Sequence, residues 1–195
     1  YTGYFDAATS FRHALFQTVS IVSTTGFASS DFNLWPDFSR YVLLLLMFVG
    51  GCSGSTAGGM KVSRFVILLK VTWAELRRTI HPRLVYSIKM GGRNVPPVVV
   101  GNVTRFFYLY MIVFSTLTLL ISLTGISMLD SMGIIAACMS SVGPAFGIVG
   151  PTATYADVST FGRLVVIAAM ILGRLEIFTL LIIMRPDFWR VKRNW

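Results

Sequence analysis

Long and short apolar stretches alternate along the 195-residue chain. Residues 104–124 and 160–185 are each long enough to cross a bilayer, which takes roughly 20 apolar residues in a helix. Shorter apolar stretches at residues 10–22 and 130–140 each end in a glycine-containing turn. A helix that stops inside a membrane leaves carbonyl groups unpaired, and such backbone is tolerated only where it is buried in protein or lines a water-filled path. The pattern predicts an all-α membrane protein with re-entrant helices that carry polar turns.

A third long stretch, residues 39–70, is interrupted by the sequence GGCSGSTAGGM at residues 50–60. Its glycines make a continuous helix unfavourable, because each costs roughly 1 kcal/mol relative to alanine in a helix interior. A small-residue face for helix packing is the alternative, but that needs glycines at helical spacing rather than in pairs. We therefore expect a broken span whose loop lines a cavity. The loop residues assigned to this role are Gly50, Gly51, Ser53, Gly54, Ser55, Gly58 and Gly59.

The turns at residues 23–27 and 141–147 belong to an internal repeat. Aligning Gly26 with Gly143 brings the short helices, the turns and the following spans into register. An internal repeat changes the fold prediction, and here the repeated unit is span, re-entrant helix, glycine turn and span. The residues predicted to cap the two short helices are Thr9 or Ser10 and Asp130.

Composition and charge set the topology of the repeat. The chain is 54% hydrophobic with a net charge of +9, and its mean hydropathy is +0.70, which indicates an integral membrane protein. Of its 17 Lys and Arg residues, nine lie between Lys61 and Arg105 and four lie in residues 185–193. By the positive-inside rule, the segment 71–96 and the C-terminal tail are predicted to be cytoplasmic. Because the bases follow the loops and form no patch interleaved with aromatic residues, no nucleic-acid partner is expected.

The segment 71–96 separates two units. Residues 1–70 form a unit without its first span, and residues 97–195 form a complete unit with a cytoplasmic tail. Between them, Lys70 to Lys89 predicts an amphipathic helix that either lies on the membrane surface or docks a soluble partner. The pairs Gly91-Gly92 and Pro96-Pro97 are expected to end that helix.

Two further features narrow the classes of function. Cys52 and Cys138 lie in apolar surroundings without metal-ligand spacing, so we expect both to pack in the core rather than form a disulfide or bind a metal. The sequence opens on Tyr1 without a methionine or a basic leader. We therefore expect no signal peptide and a longer protein whose start precedes this sequence.

Four motifs carry a family resemblance: STTGF (Ser23 to Phe27), GGCSGSTAGGMK (Gly50 to Lys61), SSVGPAFG (Ser140 to Gly147) and LGRLE (Leu172 to Glu176). Together they resemble the Trk/Ktr/HKT family of bacterial, fungal and plant cation transporters, most closely its bacterial TrkH-type pore subunits. Members of that family place four such units around a pore in one chain. The resemblance implies that this chain holds the fourth unit and the third unit without its first span.

The resemblance also implies a function, namely potassium uptake across the bacterial inner membrane rather than catalysis, with no cofactor besides the transported K⁺. It implies a homodimer, a cytosolic nucleotide-binding regulatory ring of the TrkA type and a gate formed by the loop at residues 50–60. A dehydrating cation needs oxygen atoms in place of its water shell, and a glycine beside them gives the backbone the required freedom. The residues whose carbonyls the resemblance assigns to K⁺ are Thr24, Thr25, Gly26, Ser141, Val142 and Gly143.

Arg174 lies near the middle of the last predicted span, where an unpaired cation costs at least ~2.5 kcal/mol. It is therefore expected to face the bundle interior or water, as part of the ion path, as a hydrogen-bonding hub for loop carbonyls, or both. Glu176 points to a different face of the helix, and Lys61 is its suggested partner.

Two rival functions stay open in the sequence. The residues Gly51 to Gly54 match the GxSG motif of a serine protease, but a nucleophile at Ser53 needs a base, and neither His13 nor His81 lies on a predicted span. A secondary transporter of another solute, built from broken helices, is the second rival. The repeated glycine turn favours an ion pore over both.

Overall fold

The computed structural model describes residues 6–55, 57–81 and 87–175, and this part of the chain is mainly helical. The helices are α1 (Ala7–Val22), α2 (Asp37–Phe48), α3 (Val62–Ile80), α4 (Pro97–Ser122), α5 (Met128–Met139) and α6 (Thr160–Arg174). The short strands are β1 (Val49–Gly50), β2 (Met60–Lys61), β3 (Lys89–Met90) and β4 (Arg93–Asn94). Short 3₁₀ turns lie at Phe32–Leu34, Gly147–Val149 and Tyr155–Asp157. The predicted all-α fold with two short helices is confirmed.

Both short helices begin earlier than their apolar patterns predict. Asp6 caps α1 by accepting a hydrogen bond of 2.9 Å from the N–H of Ala7. Ser127 caps α5, and its hydroxyl accepts a 3.2 Å bond from the N–H of Asp130. The predicted caps Thr9, Ser10 and Asp130 are therefore wrong, because Asp6 and Ser127 lie at least three residues further upstream and accept N–H groups from the first turns of the two helices. As a first-turn carboxylate, Asp130 instead complements the helix dipole.

The segment between the repeats differs from its prediction. α3 runs unbroken from Val62 to Ile80, so it joins the second half of the broken span to the first half of the predicted surface helix. It ends before His81, which precedes a proline and adopts φ −127° and ψ 81°, outside the helical region. Gly91 and Gly92 form the turn of the β3–β4 hairpin rather than a helix end, with φ values of +56° and +78°. α4 then begins at Pro97, seven residues before the predicted span.

Among the described residues, one helix, α4, is long and apolar enough to span a membrane. α5 lies at the centre of the fold, packed against α4, α6 and α2, and its residues from Ile134 to Met139 are fully buried. Cys138 belongs to that buried run, as predicted, whereas Cys52 is exposed in the loop at residues 50–60, so its predicted core position is wrong. The predicted second half of the last span and the C-terminal tail lie outside the described residues.

Candidate functional site

The two glycine turns adopt the same backbone conformation. Thr24 and Ser141 both have φ +56°, and Gly26 and Gly143 have φ +77° and +100°. Among the described residues, Thr24 and Ser141 are the two non-glycine residues with positive φ. That conformation is an outlier for a β-branched residue such as Thr24, and it costs of order 1–3 kcal/mol. In both turns this residue lies two positions before the glycine. The two repeats therefore share a backbone conformation as well as a sequence pattern.

Each turn also ends its helix with the same pair of hydrogen bonds. The N–H groups of Thr24 and Thr25 donate to the carbonyls of Ile21 and Ser20, at 3.0 and 2.9 Å. The second turn repeats both bonds, at 3.2 and 2.9 Å, between the aligned residues. This is the Schellman arrangement, which pairs the last helical carbonyls with N–H groups beyond the helix end. It commits two N–H groups of each turn to the helix and leaves the carbonyls of the turn for other donors or for cations.

The two turns lie against each other. A Cβ atom placed on Gly26 would overlap the carbonyl oxygen of Val142 and would lie 3.1 Å from Cδ of Pro144. Around Gly143 the space is different, since no heavy atom of the described residues lies within 4 Å of a Cβ placed there. Gly26 is therefore required by both conformation and close approach, whereas Gly143 is required by conformation alone.

One carbonyl of each turn is held by a side-chain hydroxyl, and the two donors differ. In the first repeat, the Ser20 hydroxyl on α1 donates to the carbonyl of Phe27 at 2.6 Å. The position aligned with Ser20 is Ala137, which has no hydroxyl. In the second repeat, the donor is the phenol of Tyr155, which lies in the return loop, the segment that leads from each turn to the next helix. It donates to the Gly143 carbonyl at 2.7 Å. Burial raises the pKa of this phenol above its ordinary value, which keeps the donor proton in place.

A second pair of contacts links the return loops of the two repeats. The side-chain amide of Asn33 accepts a 3.0 Å bond from the N–H of Gly147 and donates a 3.3 Å bond to its carbonyl. Gly147 has φ +65°, and the carboxylate of Asp130 occupies the place where a side chain would be. The guanidinium of Arg40 on α2 lies 3.6 Å from the same carboxylate. Asn33 of the first repeat thus holds the backbone at Gly147, where the second turn ends. Arg40 binds the Asp130 carboxylate that packs against Gly147.

The loop at residues 50–60 is closed at its neck by the parallel pair β1–β2. Its interior is held by Lys61, whose ammonium group donates to the carbonyls of Ser55 and Ala57 at 2.8 and 2.6 Å. The suggested partner of Lys61, Glu176, lies outside the described residues, so that pairing stays a prediction.

The same loop packs directly against the start of the second turn. A Cβ atom on Gly58 would overlap the Ser140 carbonyl and would lie 2.9 Å from the hydroxyl of Ser141. The Ser140 hydroxyl donates in turn to the Met47 carbonyl at the end of α2. The absence of a side chain at Gly58 is therefore what allows the loop to contact this turn.

Arg174 is the last residue of α6 and follows Gly173, whose Cα approaches the Met139 carbonyl so closely that a side chain would overlap it. A cavity of about 320 Å³ separates this end of α6 from the loop. Lys61, Arg64 and Arg174 line the cavity together with loop residues. The structure thus brings the predicted loop, Lys61 and Arg174 to one cavity.

The serine of the GxSG match lies in the exposed part of the loop. Its hydroxyl, Ser53 Oγ, is 2.6 Å from the hydroxyl of Ser63. His13 lies on α1, where its Nδ1 is 2.9 Å from Ser29 Oγ, and His81 follows the end of α3. Within the described ranges there is also no cluster of three or more metal-ligating side chains.

Comparison with known proteins identifies the family. The model of the TrkH family, described as cation transport protein, matches residues 2–190 of this chain. The chain belongs to the TrkH family. The fold and the family predicted from the sequence are thus confirmed, and the TrkH family is one of membrane transport proteins rather than an enzyme class.

Similar proteins in the TrkH family carry potassium in their names. The Trk system potassium uptake protein TrkH of Vibrio parahaemolyticus is 45% identical over 190 residues, which are 97% of this chain and 38% of that protein. The protein of the same name from Escherichia coli is 39% identical over 187 residues, 96% of this chain and 38% of its own length. The crystal structure of the potassium transporter TrkH from Vibrio parahaemolyticus superimposes with a TM-score of 0.86 at 44% identity, covering 96% of this chain and 40% of that one. The chain thus spans 38% of the length of these two relatives.

Several features of this TrkH-family site were missed by the sequence reasoning. Tyr155 follows Gly143 by twelve residues and Asn33 precedes Gly147 by 114, so neither belongs to a local motif. The repeat aligns the two return loops only approximately. That alignment does not indicate which of their side chains contact the other repeat or the turn.

Proposed function

We propose that the two glycine turns form part of a potassium-selective filter, and that the chain serves potassium uptake across a membrane. The observation that carries this proposal is the matched pair of turns, with left-handed residues at the same two positions and in direct contact with each other. Backbone carbonyls replace the water shell of a K⁺ ion in such filters. The carbonyls assigned to the ion are those of Thr24, Thr25, Gly26, Ser141, Val142 and Gly143.

The names of the similar proteins support this proposal, since both are potassium uptake proteins of the Trk system. A ring of carbonyls around an ion needs more than two turns. The relatives, being longer than this chain, have room for further units of the same kind.

The loop at residues 50–60 is the proposed gate below the filter. Its contact with Ser140 through Gly58 gives it a path to the second turn, and Lys61 holds it in one conformation. Arg174 adds a positive charge across the cavity, and a cation there raises the local potential against K⁺. Movement of the loop would change the steric and the electrostatic barrier together.

The resemblance to the family supports the remaining parts of the proposal. We expect the bacterial inner membrane as the location, with the basic segment 71–96 and the C-terminus in the cytoplasm. A homodimer and a cytosolic nucleotide-binding regulatory ring are the expected partners. A docking surface for that ring would include the basic residues of α3, such as Arg77 and Arg78, which are in its last turn.

The test compares two glycines with similar local properties. Gly143 and Gly125 both have positive φ, +100° and +86°, and a Cβ on either meets no heavy atom of the described residues within 4 Å. Gly143→Ala should lower the ratio of rubidium to sodium uptake, because it distorts a coordinating turn. Gly125→Ala carries similar strain in the α4–α5 loop and should leave that ratio unchanged. Equal ratios for the two variants, measured at equal amounts of folded protein in the membrane, would refute the filter assignment.

A further inference from the structure

We propose that Tyr155 is a positioning residue that sets the ion preference of the second turn by holding the carbonyl of Gly143. The proposal rests on the proposed filter function. It gives the return loop a part in selectivity, in addition to the turn and the short helix α5 that leads into it.

The geometry of the hydrogen bond supports a fixed arrangement. The phenol oxygen of Tyr155 lies 2.7 Å from the Gly143 carbonyl oxygen and 3.4 Å from Sγ of Cys138 on α5. The tyrosine begins a short 3₁₀ turn, in which the hydroxyl of Thr154 accepts from the N–H of Ala156 at 3.4 Å. The ring packs against the hydrophobic core. The backbone turn and the packed ring therefore fix the position of the donor hydroxyl.

The Gly143 carbonyl has few other means of support. Its peptide bond continues into Pro144, and proline has no N–H, so the carbonyl is the one hydrogen-bonding group of that peptide. Gly143 has φ +100°, and no heavy atom of the described residues lies within 4 Å of a Cβ placed there, so no side chain packs beside this peptide at that position. Since a carbonyl oxygen has two lone pairs, it can accept from Tyr155 and still contact a cation.

The first repeat shows what the second one lacks. There, the hydroxyl of Ser20 on the re-entrant helix itself holds the carbonyl that follows Gly26. Alanine at position 137 removes that donor from the second repeat, where Tyr155 instead holds the carbonyl one position earlier, that of Gly143 itself. The hydroxyl that holds the second turn therefore comes from the return loop, whereas the hydroxyl that holds the first turn comes from the helix before it.

The experiment uses Tyr155→Phe, which keeps the ring and removes the hydroxyl, in the protein that carries this chain. The matched control is Tyr108→Phe, which removes a hydroxyl from an exposed residue on α4. We expect Tyr155→Phe to lower the rubidium-to-sodium uptake ratio by roughly two- to tenfold, the range for one neutral hydrogen bond. The control should keep the parental ratio. A Tyr155→Phe ratio equal to that of the control would show that the tyrosine only packs.

A second measurement, thermal unfolding of the purified protein, does not depend on transport activity. Potassium should raise the thermal unfolding temperature of the purified parent protein relative to sodium. Tyr155→Phe should reduce that difference, measured separately from the lower unfolding temperature in sodium that loss of the hydrogen bond itself causes. An undiminished potassium effect would overturn the proposal. If the Tyr155→Phe variant does not accumulate, Tyr155→Met, which also lacks the hydroxyl, is subjected to the same two tests.

The Gly143→Ala variant separates this inference from the proposed function. If Gly143→Ala changes ion preference and Tyr155→Phe does not, the filter stands and the role of Tyr155 is refuted. If neither changes it, the filter assignment itself fails.

Discussion

The two repeats build the same turn in different surroundings. α5 is enclosed by α4, α6 and α2, and the end that leads into the second turn is fully buried. In the part of the chain that the structure describes, α1 packs mainly on α2, and Phe11, Leu15 and Val19 are exposed there. Both helices nevertheless end in a Schellman arrangement with a left-handed residue and a left-handed glycine. The turn is thus determined by the helix end and the glycine, and the surrounding helices determine what else can act on it.

What acts on the two turns differs accordingly. The first turn is braced by Ser20, seven residues from its acceptor. The second turn receives Tyr155 from the return loop and Gly58 from the loop at residues 50–60, while Asn33 holds the segment that follows it. Within the described residues, three distant segments contact the second turn or its continuation, so movement of any of them can reach this turn.

The largest expected effect comes from the contact between the turns. Gly26→Ala adds the strain of positive φ, about 1–3 kcal/mol, and also places a methyl group on the Val142 carbonyl. Gly143→Ala adds the strain alone. We expect Gly26→Ala to lower both the unfolding temperature and the rubidium-to-sodium uptake ratio more than Gly143→Ala does, because it disturbs both turns. The reverse order would mean that the two turns do not support each other.

The parts of this site that could be predicted are the local ones. Periodicity and single glycines located both short helices, and the aligned glycines located both turns, because helix ends of this kind depend on neighbouring residues. The positive φ of Thr24 was not predictable, since threonine resists that conformation and is held in it by two backbone bonds to α1. The contacts of Asn33 and Tyr155 were not predictable either, because they join segments whose sequences bear no common pattern.

A smaller effect is expected at the loop that touches the second turn. Lys61→Met removes the ammonium group that binds the carbonyls of Ser55 and Ala57, and charge-assisted bonds of this kind contribute about 1.5–3 kcal/mol each. If the loop is the gate, its closed form is weakened. Potassium flux into reconstituted vesicles should rise roughly tenfold, the factor that one such bond at the lower end of this range gives. Ion preference should change less than flux.

Lys70→Met is the matched control for this substitution. Lys70 also donates to a backbone carbonyl, that of Lys89 at 2.6 Å, but it does so in the segment between the repeats. It loses the same charge without touching the loop, so its flux should remain at the parental level. A Lys61→Met flux no higher than that of Lys70→Met would place the gate outside this loop.

The smallest effect is expected at the link between the return loops. Asn33→Ala removes both bonds to the backbone of Gly147, and unpaired groups left behind at a half-buried site cost about 1–3 kcal/mol. Asn102→Ala, at an exposed position on α4, is the control for loss of an amide. Thermal unfolding in detergent should show a lower transition temperature for Asn33→Ala alone. Because these bonds connect the first repeat to the continuation of the second turn, potassium should also raise the unfolding temperature of Asn33→Ala less than that of the parent. An unchanged potassium effect would show that the bonds stabilise the fold without supporting the turn.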